Sequence, residues 1–263
     1  MSQDLPLYGR HALVCGASAG IGQAAAMALA VQGAKITVLA RRVERLESML
    51  PTLLELGAQS AHALVADLDD RDALSDSVKD LLEAHGPVHI LINNTGGPAG
   101  GPLLQATDEA FLTAFSRHVL AAQRLVKLLL PGMSADGFGR IINVISTSVR
   151  EPIPNLGVSN TIRGAMASWS KSLSRELPPG VTINNVLPGY TDTERLGALQ
   201  QGAANRTGKT VDQVMEGWLA QVPEGRLGLP EEVGAVIAFL ASPAGGFIRG
   251  VSLPVDGGRL RSL

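Results

Sequence analysis

Seven short apolar runs punctuate the chain, at 11–15, 35–40, 61–66, 88–93, 140–145, 182–187 and 251–255. They are rich in Val, Ile, Leu and Ala and show no strict alternation of apolar with polar positions, the pattern of strands covered on both faces. Between them lie longer segments whose apolar positions recur at helical spacing, at 21–31, 43–56, 70–85, 108–130, 156–176 and 230–240. Strands alternating with helices predict a parallel sheet. Right-handed crossovers then give a doubly wound α/β sheet of seven strands with helices on both faces. Such a sheet takes its ligand in a crevice at the carboxyl ends of the strands. No internal repeat or linker interrupts the pattern, which predicts a single domain over residues 1–263.

One segment breaks the alternation. Residues 190–229 follow the sixth strand without a strand of their own, and mix glycine and polar residues with Leu196, Leu199, Met215, Trp218 and Leu219. A long insertion at the carboxyl edge of such a sheet is expected to be a substrate lid. An amphipathic helix pair packed on the core would leave the same pattern, and both readings can hold at once.

Composition narrows the partners. The net charge is −2 and no Lys/Arg-rich run is present, which argues against nucleic acid. No apolar run approaches the roughly 20 residues that span a bilayer, so no membrane partner is expected. The first ten residues lack the pattern of a secretion signal, and the single cysteine, Cys15, fits a reducing compartment. A cytoplasmic protein is expected. The five histidines form no chelating pair, so no metal is expected.

The candidate chemistry starts at Cys15-Gly16-Ala17-Ser18-Ala19-Gly20-Ile21-Gly22, between the first strand and an alanine-rich helix. A helix start offers unpaired N–H groups and partial positive charge, and glycine allows a pyrophosphate to come close. Four further motifs follow in order: Asn93-Asn94-Thr95-Gly96, Pro188-Gly189-Tyr190-Thr191-Asp192-Thr193, Gly225-Arg226-Leu227-Gly228-Leu229-Pro230-Glu231-Glu232-Val233, and Val255-Asp256-Gly257-Gly258. Together they resemble the short-chain dehydrogenase/reductase family along nearly the whole chain, in particular its 3-oxoacyl reductase-like branch. The resemblance implies a Rossmann-type fold and a dinucleotide held by Gly16, Ser18, Ala19, Gly20, Ile21 and Gly22. It adds Asn94 and Gly96, Pro188 and Gly189 beside the nicotinamide, Thr191 and Thr193, and Asp67 and Leu68 at the adenine. It also implies a homo-oligomer, a dimer or tetramer built on the helices at 108–130 and 156–176.

The second strand ends in Leu39-Ala40-Arg41-Arg42. An acidic residue there would accept from the ribose 2′-OH of NAD. Two guanidinium groups instead fit the 2′-phosphate of NADP(H), which each can grip through two bonds. As merely solvated residues they would cost about a few tenths of a kcal/mol, because they precede a helix whose dipole disfavours cations at its start.

The family's redox site uses Asn, Ser, Tyr and Lys. Its serine falls on Ser146, but its tyrosine and lysine positions fall on Ser159 and Arg163, and its asparagine on His118. A tyrosine titrates near 10 and a neighbouring cation can bring it lower; a serine hydroxyl needs an adjacent base. Arginine stays protonated and shuttles no proton. Three substitutes for the missing acid are open: His118 as a relay, Tyr190 at the mouth of the site, or Ser146 with Arg163 as an oxyanion site fed by water. The expected activity is NADP(H)-dependent reduction of a small carbonyl compound, 3-oxoacyl-like in class, or oxidation of an alcohol, by a modified proton path. The rivals are an NADP(H)-binding sensor or assembly subunit without redox activity, and a non-redox isomerase or lyase on the same frame.

Overall fold

The computed structural model describes residues 4–262. Its seven strands are β1 (His11–Cys15), β2 (Lys35–Ala40), β3 (Ser60–Val65), β4 (Ile90–Asn93), β5 (Gly139–Val144), β6 (Val181–Pro188) and β7 (Ser252–Val255). They form one sheet in the order β3-β2-β1-β4-β5-β6-β7, every pairing parallel. The order reverses between β1 and β4, which opens the crevice above the ends of those two strands.

The helices are α1 (Gly20–Val31), α2 (Val43–Glu55), α3 (Arg71–His85), α4 (Asp108–Phe115), α5 (Ala121–Ala135), α6 (Gly157–Leu173), α7 (Glu194–Thr207), α8 (Val211–Leu219) and α9 (Pro230–Ala241). One buried cluster lies on the α1, α2 and α9 face, with Val14, Ile36, Val38, Leu46, Ile92 and Ile237 at its centre. A second lies on the α3 and α5 face around Leu13, Leu74, Leu91, Leu125 and Ile183. Burial on both faces is why the strand sequences are apolar throughout rather than alternating.

One helix differs from the expected pattern. The segment expected as one helix at 108–130 is divided by a π-turn at Ser116–Leu120. It also runs past Pro131 to Ala135, because Leu129 and Met133 continue the buried stripe of Leu125 and Val126 across the proline. The insertion at 190–229 folds as the pair α7 and α8. Its two ends are tied by a bridge between Thr191 and Gly228.

A row of amides crosses the second half of the sheet. Asn93 donates to Asn143 at 2.8 Å, Asn143 to Asn185 at 2.9 Å, and Asn185 to the Ser252 hydroxyl at 3.0 Å. These are register partners on β4, β5, β6 and β7. Each buried amide is satisfied by the next, as buried polar groups require.

Candidate active site

A cleft with a volume of about 740 Å³ lies above the carboxyl ends of the strands. Its floor is the turn from β1 to α1. Gly16 has φ +60°, and a Cβ there would stand 2.6 Å from the Asn94 carbonyl oxygen. Only glycine fits both the left-handed backbone and the close approach. The Asn94 amide in turn donates to the carbonyls of Cys15 and Gly16, at 3.3 and 3.2 Å, and so fixes the turn to β4. Ser18, Ala19, Gly20 and Ile21 face the cleft, and α1 begins there without any side-chain cap. Its first N–H groups are therefore open to an anion.

Gly22 is a correction. It is buried and absent from the cleft wall; its lack of a side chain lets α1 pack against the Gly16 carbonyl. Its part is to shape the cradle rather than to line it. Asp67, Leu68, Gly96, Pro188, Gly189, Thr191 and Thr193 all reach the wall. Thr193 also caps α7, accepting from the Leu196 N–H at 3.2 Å.

Arg41 and Arg42 stand together on the wall. Arg42 donates to the Ser18 hydroxyl at 3.0 Å, which ties the end of β2 to the glycine turn. Arg41 lies 3.6 Å from the Asp67 carboxylate, both well exposed, a pairing of little energetic weight.

Ser146, Ser159, Arg163 and Tyr190 also line the cleft. The Ser146 hydroxyl accepts from the Ser148 N–H at 3.0 Å and keeps its own proton to give. Ser159 and Arg163 are one turn apart on α6 and so share a face. Arg163 is buried and donates to the Val144 carbonyl at 2.7 Å and the Thr95 carbonyl at 3.4 Å. Burial pushes its guanidinium down to about 10, and nearby Arg195 adds to the shift. Tyr190 stacks on Trp218, ring centres 5.0 Å apart, with the Arg259 guanidinium 4.8 Å from its ring.

His118 does not reach the cleft wall. It sits in the π-turn behind the cleft wall, 4% exposed, and its Nε2 has no partner among the described residues. Burial, then Arg163 and Arg117, push its pKa down to about 2. Burial thus favours the neutral imidazole, which has one N–H to give and one nitrogen to accept. Cys15 is buried beneath the turn, its thiol pushed up to about 12 by burial, a packing residue.

Several wall residues are invisible to motif reading. Arg195, Leu199 and Arg206 come from α7, Trp218 from α8 and Arg259 from the carboxyl-terminal segment. Leu199 and Trp218 stand among the apolar residues of the insertion noted above, while the two α7 arginines carry meaning only once the helix is known to cover the cleft.

Known proteins settle the kinship. The sequence pattern of the family described as Enoyl-(Acyl carrier protein) reductase matches residues 16–259. The chain is 34% identical over 255 residues to the 3-oxoacyl-[acyl-carrier-protein] reductase FabG of Vibrio cholerae, covering 96% of this chain and 98% of that one. This chain belongs to the short-chain dehydrogenase/reductase family. It is 33% identical to the uncharacterized oxidoreductase YvrD of Bacillus subtilis, over 99% of this chain and 100% of that one. Among solved structures, L-sorbose reductase from Gluconobacter frateurii, complexed with NADPH and L-sorbose, superposes with TM-score 0.91 at 28% identity, covering 99% and 100% of the two chains. YwfH, an NADPH dependent reductase involved in bacilysin biosynthesis, gives 0.90 at 29%, covering 97% and 99%. Short-chain dehydrogenase/reductases are NAD(P)-dependent oxidoreductases, and the seven-stranded parallel sheet found here is their fold. No described helix is long and apolar enough to cross a membrane.

Proposed function

We propose that this chain is an NADP(H)-dependent oxidoreductase that reduces a small carbonyl compound, 3-oxoacyl-like in class, or oxidises the matching alcohol. The observation that carries the choice of nucleotide is the pair Arg41 and Arg42 on the cleft wall, with Arg42 bonded to Ser18 of the glycine turn. The uncapped start of α1 suits the pyrophosphate, and the two guanidiniums suit the extra phosphate. The nicotinamide, when bound, supplies or accepts the hydride.

The remaining chemistry falls to the chain's own side chains. The Ser146 hydroxyl orients the carbonyl oxygen and donates to the negative charge developing there, and the Arg163 cation binds an anionic group of the substrate. Ser159 has neither the reach nor the acidity of the phenol that the family places at this position. Of the two tyrosines, Tyr190 lines the cleft and Tyr8 does not, so the Tyr190 phenol is the proton donor in this reading. The helix pair α7–α8 acts as the lid and excludes water. The protein works as a homodimer or homotetramer built on α4–α5 and α6, where Leu112 and Phe115 of α4, and Leu104 in the turn before it, leave apolar surface uncovered.

Calorimetric titration with NADPH and NADH tests the nucleotide, on the native chain and on a variant carrying Arg41→Ala and Arg42→Ala. NADPH is expected to bind at least ten-fold more tightly, and the variant to lose that margin. Equal affinities that ignore both arginines end the reading. Turnover is then followed with 3-oxoacyl thioesters, diketones and quinones. Tight NADPH binding with no oxidation on any of them supports the second reading, a nucleotide-binding subunit or sensor. The exchange of the family's tyrosine and lysine for Ser159 and Arg163 favours that reading.

A further inference from the structure

The cleft carries an imbalance of charge that the nucleotide does not use up. Seven arginines line it, against two carboxylates, Asp67 and Glu194; one of the seven, Arg117, is paired with Asp69 beside the cleft. Both carboxylates lie toward the second-strand side and are engaged there, Asp67 with Arg41 at 3.6 Å and Glu194 with Arg45 at 2.8 Å. On the opposite side, Arg163 and Arg195 form no ion pair among the described residues. They bond only to backbone carbonyls, Arg163 to Val144 and Thr95, Arg195 to Pro98 at 2.5 Å.

These two guanidiniums converge. A Cβ built on Gly97 would lie 3.4 Å from an Arg195 nitrogen and 3.7 Å from an Arg163 nitrogen, so the two nitrogens are within about 7 Å of each other. Like charges brought together with no counter-ion are unfavourable, more so where one of them is buried. A carboxylate resolves the conflict. Its two oxygens, each about 2.8 Å from a donor, span such a gap and satisfy both cations. Apolar surface lies beside it, since Leu156 and Leu199 meet over Gly100 and Trp218 stacks on Tyr190.

We propose that this side of the cleft is a carboxylate site, in which Arg163 and Arg195 together grip the acid group of a small substrate whose apolar body rests on Leu156, Leu199 and Trp218. The substrate is then a carbonyl compound or alcohol bearing a carboxylate. This rests on the oxidoreductase reading above and narrows it. Arg163 is here a binding residue placed where the family keeps a lysine.

Binding alone tests it. The protein is saturated with NADP⁺ and titrated in a calorimeter with 3-phenylpropionate and with its neutral counterpart, 3-phenylpropanamide. The acid is expected to bind at least ten-fold more tightly than the amide. Arg195→Leu and Arg163→Met are each expected to erase that margin and to leave the amide unchanged. Arg195 is exposed, so its variant keeps the test valid if the Arg163 variant fails to fold. Equal binding of acid and amide, or no binding of either, overturns the proposal. So does competition between the acid and NADP⁺ in the nucleotide-free protein, which would put the acid in the phosphate cradle. Failure of NADP⁺ itself to bind would sink the nucleotide reading instead, so the two failures are distinguishable.

Discussion

At Gly22, the third residue of α1, helix propensity and packing make opposite demands. Replacing glycine by alanine inside a helix ordinarily stabilises it by about 1 kcal/mol. Here the added Cβ would stand 2.3 Å from the Gly16 carbonyl oxygen and 2.7 Å from the Asn94 amide nitrogen. Neither neighbour is the loose end of a flexible side chain. The carbonyl belongs to the turn, and the amide is bonded to Cys15 and Gly16. Relief requires the turn to move away from α1, and overpacking of this kind costs about 1–3 kcal/mol, occasionally more. The clash outweighs the propensity, so Gly22→Ala is expected to lose up to about 2 kcal/mol net. Gly197 in α7 is the control: nothing lies within 4 Å of its added Cβ, and Gly197→Ala should gain about 0.5–1 kcal/mol. Urea unfolding, with the slope checked for constancy, reads both. The two midpoints should move in opposite directions, and NADPH affinity should fall at least ten-fold for Gly22→Ala alone. If Gly22→Ala raises the midpoint as Gly197→Ala does, the turn is not braced by α1 and Asn94 in the way described.

Three further outcomes are expected. Burial, followed by the neighbouring His89, pushes the His11 pKa down to about 4. The unfolded chain therefore binds the extra proton first, and about 3 kcal/mol of stability should disappear as pH falls from about 6.5 to 4; a denaturant midpoint that stays flat over that window refutes it. Tyr190→Phe keeps the ring stacked on Trp218 and removes only the hydroxyl. Turnover should fall at least about 100-fold with NADPH affinity unchanged, and an unaltered kcat would dismiss the phenol as donor. Light scattering should report a dimer or tetramer, and a monomer at micromolar concentration removes the assembly.

How far the sequence could be read depended on the range of the interaction behind each feature. The strands at 11–15 and 35–40 are found with the same limits, because a run bounded by turn residues and buried on both faces is a local signal. The π-turn at Ser116–Leu120 has no such signal: no Pro or Gly marks it in the sequence. In the site, the glycine turn and the arginines after β2 are contiguous in sequence and were legible at once. The spacing also located His118, but whether that position opens onto the cleft is decided by packing, and the ring proved buried. Arg195 and Arg259 meet the cleft from segments far apart in the chain. Their role was therefore hidden until the fold brought them together.

The amide row joining Asn93, Asn143, Asn185 and Ser252 has a consequence for how the molecule assembles. Strand side chains alternate sides, so a slip of one residue by β5, whose Asn143 is flanked by Ile142 and Val144, would swing that asparagine to the far side of the sheet. The neighbouring amides would then be stranded in a dry interior. A mispaired β5 is thereby penalised by its neighbours, and the amide row helps to fix the one register that brings the ligand-binding loops to a common edge.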